Sequence, residues 1–149
     1  MYFRGRSLRS LDSKGRLVLP PEFREILFSR SADGKMVLTT YDNCVVGFPL
    51  PDWLEFEGRL IGIKKAPLKV RNFKRLVLGG AEEMASDGSG RIRLSKDHLA
   101  YAGISREAVL MGYGTHFELW QPGRLDTAIS SDNFDDVAEH FGDDFEFDL

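Results

Sequence analysis

An internal repeat constrains the fold more strongly than any other feature of this sequence. The pentapeptide DSKGR at positions 12–16 returns 75 residues later as DGSGR at positions 87–91. Farther along, with the offset reduced to 72, VLTTYDNCVVGFPLP aligns with VLMGYGTHFELWQPG. Each copy spans about 45–50 residues, which is small for an independently stable domain, so the two copies are expected to fold together.

Both copies predict the same local structure. A short strand, at 5–11 or 81–86, leads into a DxxG turn that the Asp side chain can cap and in which Gly supplies the left-handed conformation. A second strand, a short helix and a hairpin follow; Pro21 suits the first turn of one helix, and Ser95 suits the N-cap of the other. Two such units are expected to interlock their hairpins into one barrel, mostly β with short helices, and leftover apolar surface favours oligomers.

The repeat also predicts the domain organisation. We expect a first module at 6–53, a helical connector at 54–80 broken at Pro67, a second module at 81–124 and an acidic tail at 125–149. The basic residues of the connector are interpreted as a solvated helix face.

The charge distribution separates a basic body from an acidic end. The net charge is −3, but positions 132–149 hold eight acidic residues and no Lys or Arg, which leaves about +5 on positions 1–131. The sequence has no apolar run long enough to span a membrane, no secretory signal pattern and a single cysteine, Cys44. These features predict a soluble cytoplasmic protein whose body suits a polyanionic partner.

An arginine placed directly after each tight turn predicts contact with DNA. A guanidinium in this position can bind a phosphate or read a guanine edge, whereas the Asp is expected to hold the turn or orient the arginine. A simpler alternative is that each arginine only closes an ion pair with its Asp. The predicted DNA-binding residues are Arg16 and Arg91 first, then Lys14, with Arg9 and Arg93 as weaker candidates; the predicted turn-shaping residues are Asp12, Gly15, Asp87 and Gly90. Arg24 is expected to be solvated.

The two aspartates also raise an enzyme alternative, which the local sequence does not favour. Aspartic proteases need Ser or Thr and then Gly after the Asp, and a neighbouring Arg would keep the carboxylate ionised. The three histidines, His98, His116 and His140, lack the close spacing of metal ligands, and no nucleotide-binding motif is present. We therefore predict no catalytic site, metal or cofactor, place His98 on a helix surface, and interpret Cys44 as a core residue.

The blocks FRG, LDSKGRLVLPPEFRE, RLVLGGAEE, DGSGRIRLS and FELW resemble the bacterial MraZ proteins over positions 1 to about 120. This resemblance implies a duplicated SpoVT–AbrB-type swapped-hairpin barrel of the double-psi kind. It also implies a regulator, usually a repressor, that binds promoter direct repeats of the division and cell-wall gene cluster, forms ring-like homo-oligomers and is found in the cytoplasm and nucleoid. The family's DxxxR motif maps onto Asp12, Arg16, Asp87 and Arg91.

A second interpretation is a protein-interaction module. An AbrB-like antitoxin would share the swapped hairpin and could bind a partner through the acidic, phenylalanine-containing tail. The second full repeat and the FRG and FELW blocks favour the regulator over a simple antitoxin.

Overall fold

The computed structural model describes residues 1–137 and 139, which form eight strands and five short α-helices. The strands are β1 (Arg6–Ser10), β2 (Arg16–Val18), β3 (Lys35–Tyr41), β4 (Cys44–Pro49), β5 (Glu82–Ala85), β6 (Arg91–Arg93), β7 (Glu107–Gly112) and β8 (Phe117–Trp120). The helices are α1 (Pro21–Arg30), α2 (Leu50–Ile61), α3 (Leu68–Gly79), α4 (Lys96–Ala102) and α5 (Pro122–Ser130). Strands therefore outnumber helices, and each element recurs at a matching place in the two halves, apart from the connector helices.

The six longer strands form one antiparallel sheet in the order β1-β7-β8-β4-β3-β5, and β2 and β6 form a separate two-stranded ribbon. This order is symmetric: β1, β3 and β4 of the first copy occupy the places that β5, β7 and β8 of the second copy occupy when counted from the other edge. The leading strand of each half pairs with the hairpin of the other half: β1 lies beside β7, and β5 lies beside β3. The halves meet at the centre where β4 pairs with β8, so neither half completes the sheet alone.

The predicted closed barrel is not what the structure has. Within the described residues the six-stranded sheet is open, with β1 and β5 as its edges, because β2 and β6 leave the sheet and pair with each other. The DxxG turns make this departure possible, since each one redirects the chain between the leading strand and the ribbon.

One apolar core lies between the sheet, the ribbon and helices α1 and α4. The rings of Phe3, Phe23 and Phe117 meet at its centre, with centroids 5.2 to 6.0 Å apart. Leu17 and Ile92 point into this core from the ribbon and are almost fully buried. Because these residues come from both copies, burial of the core depends on the two halves folding together.

The helical connector packs on the sheet as a second cluster. Val37, Trp53, Leu60 and Val77 are buried there, and the hydroxyl of Thr40 donates to the Leu76 carbonyl at the end of α3. The break at Pro67 is confirmed, since α3 begins directly after it. The first connector helix starts earlier than expected, at Leu50, because Pro49 and Pro51 suit the start of a helix.

One expectation about a helix residue is wrong, and the start of the predicted tail is helical. Helix α5 extends from Pro122 to Ser130 and buries Leu125, so it includes the first residues of that tail. His98, expected on a helix surface, is buried, with 1% of its surface exposed. Cys44 is buried as predicted. The rest of the tail, including His140, lies mostly outside the described residues.

None of the helices in the described part of the chain is both long and apolar enough to cross a membrane.

Candidate nucleic-acid interface

The first DxxG turn is held by one carboxylate. Asp12 Oδ1 accepts hydrogen bonds from the backbone N–H groups of Lys14 and Arg16, both at 2.9 Å. The other oxygen, Oδ2, accepts from Arg16 Nε at 2.7 Å. Gly15 takes a φ of +77°, which a residue with a side chain rarely adopts. A single Asp thereby shapes the turn and orients the arginine that follows it.

The second turn repeats this arrangement. Asp87 Oδ1 accepts from the backbone N–H groups of Ser89 and Arg91 at 2.9 Å, and Oδ2 accepts from Arg91 Nε at 2.7 Å. Gly90 has a φ of +76°. Two segments that are 75 residues apart therefore reach the same geometry, because every bond in the network lies within five residues of sequence.

The hydrogen bonds keep both carboxylates ionised. The bond from the Arg16 backbone N–H is the main cause that lowers the pKa of Asp12 below its ordinary value of 3.8, and the Arg16 side chain lowers it further. Arg91 lowers the pKa of Asp87 in the same way. Each aspartate therefore stays ionised at and around pH 7, and each turn keeps its ion pair there.

Both arginines are ion-paired and only half-buried. Each pair uses Nε, which leaves the terminal amino groups of the guanidinium without a hydrogen bond to any described residue. The side chains of Arg16 and Arg91 retain 30% and 37% of their surface in solvent. The ion-pair interpretation and the DNA-contact interpretation are thus compatible, because the same guanidinium can brace the turn and face a ligand.

The ribbon gathers the arginines of both turns on one face. Its register pairs Arg16 with Arg93 and Val18 with Arg91, while Leu17 and Ile92 form the buried central pair. Directly opposed residues of an antiparallel pair share a face, so three guanidinium groups project to the outside together. Arg16 and Arg91 are each paired with an aspartate, so Arg93 is the arginine of this face that has no ion-pair partner among the described residues.

The remaining predicted cations lie on different elements. Lys14 is exposed at the tip of the first turn, and Arg93 is exposed on the ribbon itself. Arg9 lies half-buried on β1, in the six-stranded sheet and not on the ribbon, where it lines a shallow depression with Arg4 and Arg6. The structure therefore brings Arg16, Arg91 and Arg93 together and leaves Arg9 apart.

Comparisons with known proteins agree with the resemblance in the sequence. A family model described as "MraZ protein, putative antitoxin-like" matches residues 2–75 and 77–147. The chain belongs to the MraZ family. It is 55% identical to a transcriptional regulator MraZ of Nitratidesulfovibrio vulgaris (strain Hildenborough) over 143 residues, which is 96% of this chain and 95% of that protein.

More distant relatives carry the same name. The transcriptional regulator MraZ of Oleidesulfovibrio alaskensis is 46% identical over 96% of this chain and 95% of its own length. That of Nitrosomonas eutropha is 36% identical over 87% of each chain. The similarity therefore covers both copies of the repeat and the connector of this MraZ-family chain.

The structure places one further cation at the turns, and the sequence interpretation missed it. Arg24, expected to be solvated, packs against Gly90 of the second turn, and its Nε is buried. The repeat holds a signal for this position, because Arg24 aligns with the apolar Leu99 at the same offset of 75 that relates the two turns.

Elsewhere the described residues give no sign of a metal site. Among residues 1–137 and 139, no three His, Cys, Asp or Glu side chains lie together as potential ligands. His98 instead donates from Nε2 to the Gly80 carbonyl at 2.7 Å and lies 3.4 Å from a Glu82 carboxylate oxygen through Nδ1. Its role is to join α4 to the end of the connector.

Proposed function

We propose that this chain is a transcriptional regulator that binds double-stranded DNA through the outer face of the β2–β6 ribbon. The observation that carries this proposal is the ribbon register, which sets Arg16, Arg91 and Arg93 on one exposed face between two turns of matching geometry. Two arginines with free terminal amino groups suit phosphate oxygens or the O6 and N7 atoms of guanine. The names of the relatives support the same function.

The resemblance extends this proposal to a target and an assembly. We propose a sequence-specific repressor of the division and cell-wall gene cluster that binds promoter direct repeats as a ring-like homo-oligomer in the cytoplasm and nucleoid. Linked copies would matter physically, because one protomer offers few cations and a joined array can exceed single-site affinity by ~100-fold or more. The pairing of each leading strand with the other half's hairpin supports two swapped-hairpin modules, at 6–53 and 81–124.

The deciding experiment compares two double variants of equal charge loss. Arg16→Ala/Arg91→Ala removes both turn arginines, whereas Arg59→Ala/Arg75→Ala removes two arginines from the connector helices. We expect the turn variant to bind DNA from upstream of its own gene roughly 100-fold more weakly, since each contact is worth about 1–3 kcal/mol. The connector variant is expected to bind like the wild type. Gel shift and footprinting across a salt titration measure both.

The turn variant must be shown to fold before its DNA affinity is interpreted. Circular dichroism and a urea unfolding curve show whether the turn variant retains its structure, which we expect because backbone hydrogen bonds still hold each turn. Wild-type affinity in a folded Arg16→Ala/Arg91→Ala variant would contradict the proposed interface.

An antitoxin-like function is the second candidate, and the description of the matching family model favours keeping it. In that case the chain would copurify with one specific toxin, and the complex would survive loss of both turn arginines. Absence of such a partner, together with an upstream footprint, would favour the regulator.

A further inference from the structure

The two turns rest on different side chains, each contributed by the opposite half. A Cβ added at Gly90 would lie 2.5 Å from Arg24 Cδ and 2.7 Å from Arg24 Nη1. At Gly15 the nearest side-chain atom is Leu99 Cδ1, at 3.6 Å. Arg24 belongs to α1 and Leu99 to α4, at equivalent places in the repeat. Helix α1 therefore brings a guanidinium beneath the second turn, whereas α4 brings only a methyl group beneath the first.

The environment of Arg24 leaves one of its nitrogen atoms without a hydrogen-bond partner. Its Nε atom is buried without a hydrogen-bond partner, and among the described residues no carboxylate oxygen lies within ion-pair distance of it. The turn arginines differ, because Arg16 and Arg91 each donate from Nε to an aspartate. A donor that is removed from water and not paired is costly unless a ligand supplies the missing interaction. The residue as a whole is half-buried, and of its three side-chain nitrogen atoms only Nε is both fully buried and without a partner.

The residues at the tips of the turns complete the comparison. The first turn carries Lys14 at its tip, where the second has Ser89, a neutral donor. Each turn also contains one aspartate and the arginine paired to it. The first turn thus obtains its additional positive charge from its own sequence, and the second turn obtains an equal charge from Arg24 of the other half.

We propose that Arg24 is a DNA-backbone contact of the second turn and that it does there what Lys14 does at the first turn. This inference rests on the proposed function, since it assumes that both turns face DNA. The end of the Arg24 side chain occupies the space that a Cβ at Gly90 would need, so its position depends on the absence of a side chain at that glycine. A phosphate oxygen arriving at the second turn would accept from Arg24 and from the terminal amino groups of Arg91.

The test substitutes the two residues in parallel. Arg24→Met and Lys14→Met each remove one charge, and Leu99→Met is the matched control that alters the equivalent position beneath the first turn without changing charge. We expect Arg24→Met and Lys14→Met each to weaken binding to the upstream DNA about tenfold, the effect of one charge-assisted hydrogen bond. The slope of log K against log salt should become shallower by about 0.9 in both, as for the loss of one phosphate contact.

Further variants separate contact from structural support. Arg24→Lys retains the charge and should keep the wild-type salt slope, whereas a purely structural Arg24 would change the melting temperature and leave the slope unaltered. If Arg24→Met does not fold, Arg24→Gln provides the same loss of charge with a polar side chain. An unchanged slope in a folded Arg24→Met or Arg24→Gln protein overturns the inference.

The two proposals fail in distinguishable ways. If Arg16→Ala/Arg91→Ala abolishes binding while Arg24→Met has the wild-type slope, the interface stands and only the contribution of Arg24 is wrong. If neither variant alters binding, the interface itself is wrong.

Discussion

The two halves of this chain share the geometry of their turns and differ in the charge around them. The corresponding hydrogen-bond distances at Asp12 and Asp87 are equal to within 0.1 Å. The strands that lead into the turns differ, since β1 carries Arg6 and Arg9 whereas β5 carries Glu82 and Glu83. A local hydrogen-bond network thus preserves the shape of a turn while its electrostatic surroundings diverge.

The core also has residues of different polarity at equivalent positions of the two halves. Phe23 on α1 packs its ring against Phe3 and Phe117, whereas the equivalent His98 on α4 donates a hydrogen bond to the Gly80 carbonyl. The connector ends at Gly80, beside the second half, so a carbonyl acceptor is present there for the buried imidazole. A polar side chain in the core is tolerated where the chain supplies its partner.

Exchanging these two core residues should give the largest effect. Phe23→His removes an aromatic contact and buries an imidazole in an apolar cluster, so we expect a loss of about 3 kcal/mol in the free energy of unfolding. His98→Phe leaves the Gly80 carbonyl without its donor and should cost about 1–2 kcal/mol. Urea unfolding followed by fluorescence measures both. Equal losses in the free energy of unfolding for the two variants would contradict the idea that the Gly80 carbonyl is what allows a histidine at position 98 but not at position 23.

The glycines of the turns provide a smaller and more specific difference. Alanine at either position must adopt a left-handed conformation, which costs about 1–2 kcal/mol. At Gly15 the added Cβ would also lie 2.7 Å from the backbone carbonyl oxygen of Leu94, which cannot move without disturbing the ribbon. At Gly90 it would meet the Arg24 side chain, which can change rotamer.

We therefore expect Gly15→Ala to destabilise the protein by roughly 1 kcal/mol more than Gly90→Ala, because backbone relaxes less readily than a side chain. Unfolding midpoints in urea, with equal m-values, report this difference. Gly90→Ala should in addition weaken DNA binding by displacing Arg24. The reverse order of stability would mean that Arg24 is held more firmly than the ribbon backbone.

Local signals in the sequence predicted local structure well. Ser95 caps α4 by accepting from the His98 backbone N–H, Pro21 begins α1, and the two hairpins lie where the Val- and aromatic-rich segments placed them. The open sheet was not predicted, because its form depends on which distant strands pair. Alternation within β2 or β6 indicates a strand but says nothing about whether that strand joins the main sheet.

The repeat contained more information about side-chain environments than each helix considered alone. His98 and Arg24 were both expected at the surface. Aligned across the repeat, His98 occupies the core position of Phe23, and Arg24 occupies the partly buried position of Leu99. The paired arginines were recognised from the repeat too, but the sequence alone could not show that Nε bonding leaves the remainder of each guanidinium exposed.

The smallest expected effect concerns another pair of equivalent positions, Val46 and Glu118. They face each other across the central strands β4 and β8, and Glu118 is buried with 6% of its surface exposed. Burial raises the pKa of Glu118 above its ordinary value of 4.5, although its oxygen accepts a hydrogen bond from Trp120 Nε1 at 3.0 Å. The folded protein therefore favours the protonated carboxyl. The protonated carboxyl therefore contributes to the free energy of unfolding below pH 4.5, and this contribution is lost as the pH rises through the pKa of Glu118 in the folded protein.

Glu118→Gln keeps an oxygen that can accept from Trp120 and removes the ionisable group. The variant should be more stable than the wild type near pH 7 to 8, by no more than about 1 kcal/mol, with the difference vanishing below pH 4.5. Thermal unfolding across this pH range measures it, with Glu107→Gln as the control because Glu107 is exposed at the start of β7. A Glu118→Gln protein that is less stable than the wild type at pH 7 would show that the ionised carboxylate is paired at the centre of the sheet.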